Sequence, residues 1–233
     1  MCDELSLFAK LHKFLHLFSS IIHHFPLALI PTTTATTPPP TTTPNKAKME
    51  ARQKVLSIKK SQETAQSLLP PNTLYIALCI RSDPTVPNDF HWALYLHTPA
   101  HTPGGGGTKH DAENHAGGSE GGWIAQHAPT AGILKTNFLC VLVHIADIPE
   151  TQIGVVEGVM RERDGDLNEI PAVTCRVWLL VVLERLIGMG VVRCEGGVQG
   201  VERECLGFGN EFMEEAAGNV QPRPVVRAGG CFE

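Results

Sequence analysis

The segment that most constrains the fold is residues 137–145, which read NFLCVLVHI. The run is apolar almost throughout and lacks the alternation of polar and apolar side chains that a half-exposed strand shows. Such a run is typical of a central strand buried on both faces. The composition allows a core of this kind, because 42% of the residues are hydrophobic and 18% are charged, as in ordinary globular proteins.

Composition divides the chain into five segments. Residues 1–30 are apolar at helical spacing, and Pro26 ends that pattern. Residues 31–44 are a Thr/Pro tract, which predicts a disordered, solvated linker. Residues 45–71 predict a charged helical connector closed by two prolines. We expect a folded α+β domain over residues 72–215 and a flexible tail over residues 216–233.

The N-terminal segment allows three interpretations. It is a signal peptide, an interfacial or partner-binding helix, or a dispensable extension. Its apolar part is too short and too interrupted by histidine for a membrane span, although residues 5–25 could make a weak membrane contact. The predicted location is cytoplasmic, with a secreted or membrane-associated protein as the alternative.

Strands precede helices within the expected domain, and this order predicts an α+β fold with a mostly antiparallel sheet. The predicted strands are Thr73–Arg81, His91–His97, Thr108–His115, Gly122–His127 and Asn137–Ile145, and the predicted helices are Pro149–Arg163, Thr174–Met189 and Val201–Glu215. The polar, glycine-rich stretch 98–122 is long enough to be an insertion or a flap.

Charge and cysteine usage exclude several function classes. A net charge of −5 with scattered basic residues argues against nucleic-acid binding, which needs a clustered basic surface. The seven cysteines are widely spaced and form no CxxC motif, so they predict mostly free thiols in a reducing compartment. No cofactor motif is present, since Thr108-Lys109 after the glycine run has the wrong order for a phosphate-binding loop.

Cys175 is the candidate nucleophile. Thr174 is a good N-cap, so Cys175 falls in the first turn of the predicted helix, where free amides and the helix dipole stabilise a thiolate. This position lowers the pKa of a thiol and makes it more nucleophilic at neutral pH. A buried cysteine that only packs is the alternative interpretation.

His91 is the candidate general base for that thiol. It begins an apolar strand after a loop, so its ring belongs at the end of a sheet, where a helix N-terminus can approach it. The alternative is a surface or capping histidine. The reaction class suggested by the pair is attack of a thiolate on a carbonyl carbon.

Two short motifs carry a family resemblance. The strand His91-Trp92-Ala93-Leu94-Tyr95-Leu96 resembles the His-Trp-Ala-x-Tyr strand of the lecithin:retinol acyltransferase and NlpC-type thiol enzymes, and Thr174-Cys175-Arg176-Val177-Trp178 is similar to their nucleophile-bearing helix start. The chain also resembles uncharacterised fungal proteins with both segments. The resemblance implies a circularly permuted papain-like fold in which histidine precedes cysteine, with Cys175 as nucleophile and His91 as base.

A third residue should orient the imidazole of His91. His97 is a poor choice, because six residues along a strand span about 20 Å. His110 is the first choice, since a returning strand would bring it alongside His91, and Asp111 is the second. The histidines near this stretch lack the fixed spacing of a metal site, so we expect solvated loop histidines rather than metal ligands: His97, His101, His110, His115 and His127.

The sequence therefore predicts a cysteine hydrolase or acyltransferase that acts on an amide or ester bond. The substrate, whether a small molecule, a lipid or a peptide, is not identified by any motif. A binding or interaction module that keeps the fold without the chemistry is the alternative, because a fold does not fix a function.

Overall fold

A six-stranded mixed sheet with helices on both faces organises the part of the chain that the structure describes. The structure is a computed structural model, and it describes residues 44–102, 105–115 and 122–231. The predictions for residues 1–30 and for nearly all of the Thr/Pro tract lie outside the described residues. The fold class is α+β, as predicted from the order of the strands and helices.

The strands follow the order β4–β3–β2–β1–β5–β6 across the sheet. The first five pair antiparallel with their neighbours, and β6 pairs parallel with β5. Their bounds are β1 Thr73–Ile80, β2 Phe90–His97, β3 Gly107–His115, β4 Gly122–Thr130, β5 Leu139–Asp147 and β6 Val225–Arg227. The strand that the apolar run predicts is β5, which has a neighbouring strand on each side.

Four α-helices accompany the sheet in the described residues: α1 Pro44–Ser67, α2 Ile153–Arg161, α3 Cys175–Gly188 and α4 Gly197–Ala217. Single 3-10 turns lie at Ile133–Lys135, Glu150–Gln152 and Leu167–Glu169. The helices α2, α3 and α4 match the three that the sequence predicts, with α2 beginning later and α4 running longer at both ends.

The two faces of the sheet bury different sets of side chains. On β2, Trp92 and Leu94 belong to the larger core, which also includes Leu179 of α3 and Val201 of α4. The alternate residue Tyr95 belongs to the smaller core on the other face, with Leu134 of the first 3-10 turn. Because side chains alternate along a strand, a residue's parity in β2 or β3 decides which face it meets.

The last turns of α1 belong to the folded domain, although the sequence predicts only a connector there. Gln66 is 7% exposed. Its side-chain amide donates to the hydroxyl of Tyr95 at 3.2 Å, and its carbonyl accepts from the amide of Leu134 at 3.4 Å. These contacts lie over the smaller core, so the domain begins before residue 72.

The C-terminal segment corrects the prediction of a flexible tail over residues 216–233. Residues 225–227 form β6, and Cys231 forms a disulfide with Cys194, so not all the described cysteines are free. Arg223 is 2% exposed and donates to the carbonyl oxygens of Asn137, Glu215 and Val220. The segment is therefore part of the domain as far as Cys231.

Within the described residues, none of the helices is both long and apolar enough to cross a membrane.

Candidate functional site

Cys175 is the first residue of α3, as its sequence context predicts. Thr174 has extended backbone geometry and its Oγ1 accepts from the amide of Val177 at 3.1 Å, which is an N-cap. This bond pairs one of the amides that a helix start leaves free. The sulfur of Cys175 therefore lies at the positive end of the helix dipole.

The start of α3 meets the sheet where two strands separate. Pairing between β2 and β3 runs from Ala93–Asp111 to Leu96–Thr108 and does not include His91 or Trp92. The amide of Trp92 is thereby left for another acceptor, and it interacts with the sulfur of Cys175.

Asp111, not His110, is the residue that contacts His91. Nε2 of His91 lies 2.7 Å from Oδ2 of Asp111, whose side chain is completely buried. Asp111 pairs with Ala93, two residues beyond His91 on the same face of the sheet. With Nε2 engaged by the carboxylate, Nδ1 is the nitrogen available to Cys175.

His110 contacts His127 rather than His91, so the prediction that His110 orients the imidazole of His91 is wrong. It is fully buried, and its Nδ1 lies 2.8 Å from Nδ1 of His127, whose Nε2 lies 3.0 Å from Asp164. Burial and the neighbouring His127 lower the pKa of His110 to about 3, so its ring is neutral. Strand alternation puts His110 on the face opposite to Asp111.

Cys175 and His91 shift each other's pKa toward the charged forms. Burial opposes ionisation of the Cys175 thiol, but hydrogen bonding with His91 and with the Trp92 amide outweighs it and lowers the pKa. Burial likewise disfavours the protonated imidazole, but Asp111 and Cys175 raise the pKa of His91 to about 9. These directions favour a thiolate–imidazolium pair near neutral pH.

Two further groups lie close to this pair. Arg81, at the end of β1, contributes a positive charge that lowers the pKa of Cys175. Arg176 packs over the ring of Trp92 at 5.7 Å and binds Glu202 of α4 at 2.6 Å. Cys175 lies in the first turn of α3, where amides without partners inside the helix can donate to an oxyanion.

His97, which is a poor candidate for orienting His91 on sequence grounds, lies away from Cys175 and His91. His97 ends β2, at the opposite end from His91, and its Nδ1 lies 2.8 Å from the hydroxyl of Tyr95. In the described ranges, no group of three or more His, Cys, Asp or Glu side chains is arranged to hold a metal ion.

Lys109 is a site residue for which the sequence contains no signal. Its Nζ lies 2.7 Å from the same Oδ2 of Asp111 that contacts His91. The alternation of Lys109 and Asp111 along β3 puts both side chains on the face of His91, but only the register between β2 and β3 shows which residues meet.

Comparisons with protein-family models, with curated proteins and with solved structures found no match.

Proposed function

We propose that the protein is a cysteine hydrolase or acyltransferase that acts on an amide or ester carbonyl, with Cys175 as nucleophile, His91 as acid and base, and Asp111 as the residue that orients His91. The observation that carries the proposal is the 2.7 Å contact between His91 and the buried Asp111, together with a cysteine at a helix start whose thiol pKa His91 lowers. A thiol nucleophile, a base and an orienting group in this order are the parts that acyl transfer requires.

The first half of the reaction uses the charges of the pair. The thiolate of Cys175 attacks the carbonyl carbon, and the carbonyl electrons move to oxygen. Amides at the start of α3 stabilise that oxyanion. As the tetrahedral intermediate collapses, the protonated His91 gives its proton to the departing amine or alcohol, which leaves an acyl thioester on Cys175 and a neutral imidazole.

The second half restores the pair. The neutral imidazole of His91 accepts a proton from water, or from an acceptor amine or alcohol, as that molecule attacks the thioester carbon. The carbon–sulfur bond breaks and the thiolate is regenerated beside the imidazolium. Asp111 remains ionised throughout and stabilises the positive ring of His91.

The proposed architecture is the circularly permuted papain-like one that the two motifs resemble. Three features support it: His91 precedes Cys175 in the chain, the cysteine begins a helix that packs on the sheet, and Trp178 of that helix is fully buried against the larger core. The acyl group and the acceptor belong to no identified compound class.

One observation favours the alternative of a non-catalytic binding module. Cys175 is 2% exposed, so a substrate has to displace neighbouring side chains before its carbonyl carbon reaches the sulfur. In a binding module the contacts among Cys175, His91 and Asp111 would only stabilise the domain. Such a module would need no opening to the sulfur of Cys175.

The test is acylation of the purified protein by p-nitrophenyl butyrate, a small activated ester. We expect one equivalent of p-nitrophenol in an initial burst and a butyryl group on Cys175, located by peptide mass spectrometry. Cys175→Ala should abolish the burst, and His91→Ala should slow it at least about 100-fold, the usual scale of general acid–base assistance.

Cys205 provides the internal control for this experiment. It is fully buried, and burial raises the pKa of its thiol. Acylation of Cys175 no faster than that of Cys205, or a burst that survives Cys175→Ala, would support the binding module instead.

A further inference from the structure

Lys109 and His91 share a single oxygen of the buried Asp111. Both contacts measure 2.7 Å to Oδ2. The side chain of Asp111 is 0% exposed while that of Lys109 is 30% exposed. The lysine therefore reaches from the surface to a carboxylate that has no contact with water.

Within the group formed by Cys175, His91, Asp111 and Lys109, the charges balance only when the lysine is counted. A thiolate at Cys175, an imidazolium at His91 and a carboxylate at Asp111 sum to one negative charge. The ammonium of Lys109 makes the group of four neutral. A buried net charge is costly, and a site avoids it by taking up a proton, so without the lysine the thiolate is the group that a proton neutralises.

The other titratable and charged groups around the site do not replace this lysine. Each nearby arginine pairs with a carboxylate other than Asp111: Arg81 with Asp89 at 3.7 Å and Arg176 with Glu202 at 2.6 Å. Cys79 of β1 lies opposite His91 in the sheet, and burial raises the pKa of its thiol to about 12. It is therefore uncharged.

We propose that Lys109 is a positioning residue that offsets the negative charge of Asp111 and so allows Cys175 to exist as a thiolate beside a protonated His91. The inference rests on the proposed function and adds a fourth residue to it. Lys109 touches neither the sulfur nor a substrate in this role. It acts through the carboxylate and sets the pH at which the nucleophile becomes active.

The experiment is the pH dependence of Cys175 alkylation by iodoacetamide between pH 4 and 10, quantified for each cysteine by mass spectrometry. We expect Lys109→Met to raise the midpoint by at least about one pH unit, which lowers the thiolate fraction roughly tenfold below the midpoint. Lys109→Arg keeps the charge and should restore most of the shift. Lys135→Met is the matched control, because Lys135 pairs with the exposed Glu63 at 3.8 Å.

A second comparison shows whether Lys109 acts through Asp111 and covers the case in which Lys109→Met does not fold. In the Asp111→Asn background the buried carboxylate is gone, so adding Lys109→Met should change the midpoint by less than about 0.3 pH unit, because coupled residues lose their mutual effect together. A shift as large as in the native background would overturn the proposal, since Lys109 would then act on the thiol directly.

The outcomes separate this inference from the proposed function. A native midpoint near that of a free thiol, about 8.5, rejects both. A low native midpoint that Lys109→Met leaves unchanged rejects the role of Lys109 alone.

Discussion

The chemistry of the site depends on which of two adjacent residues in β3 faces His91. His110 and Asp111 are neighbours in sequence, but alternation directs their side chains to opposite faces of the sheet. Asp111 meets His91 and Lys109, whereas His110 meets His127. The carboxylate of Asp111 stabilises a protonated ring on His91. The neutral ring of His110 in the same position would not stabilise it.

A pair of substitutions at these neighbours tests that assignment. We expect Asp111→Asn to lower the rate of Cys175 alkylation at pH 7 at least about tenfold, because the amide no longer stabilises the protonated His91. His110→Gln should change that rate less than about twofold, since the side chain of His110 lies on the face of the sheet opposite to His91 and Asp111. Circular dichroism would verify that both variants are folded. The reverse order of effects would restore His110 as the orienting residue.

At the scale of elements, α4 packs so closely on the sheet that one of its glycines is required. A Cβ built on Gly209 would lie 2.6 Å from Cε2 of Phe90, the residue before His91, and 3.1 Å from Cδ1 of Leu78. A methyl group there must displace the ring of Phe90, the first residue of β2. The packing of α4 thus contacts β2 at the residue next to His91.

Two glycines of the same helix provide a matched comparison. Gly207→Ala should stabilise the domain by up to about 1 kcal/mol, because its Cβ would meet no atom within 4 Å and alanine is the better helix former. Gly209→Ala should instead destabilise it by about 1–3 kcal/mol through overpacking. Urea denaturation measures both values. A stabilised Gly209→Ala variant would show that α4 does not press on Phe90.

At the scale of the whole molecule, the sequence predicts the elements much better than their partners. Apolar runs between turn residues locate β1, β2 and β5 closely, because burial and alternation are local properties. The register of β2 against β3 is not local, so the choice between His110 and Asp111 could not be made from the sequence.

The C-terminal segment was missed for a related reason. β6 has only three residues and gains its place by pairing with β5, and the disulfide between Cys194 and Cys231 joins residues 37 positions apart. Neither feature leaves a periodic pattern in the chain. The burial of Arg223 is equally invisible, since an arginine in a proline-rich stretch is typical of an exposed tail.

The central claim is that Cys175 is a thiolate stabilised by His91, and the most direct measurement is the pH dependence of its alkylation in native protein and in His91→Ala. In native protein we expect a midpoint well below the value of about 8.5 for a free thiol, with Cys205 unreactive in the same sample because it is fully buried and burial raises the pKa of its thiol. His91→Ala should raise the midpoint of Cys175, since burial is then opposed only by the weaker effects of the Trp92 amide and Arg81. Equal midpoints in the two proteins would contradict the account.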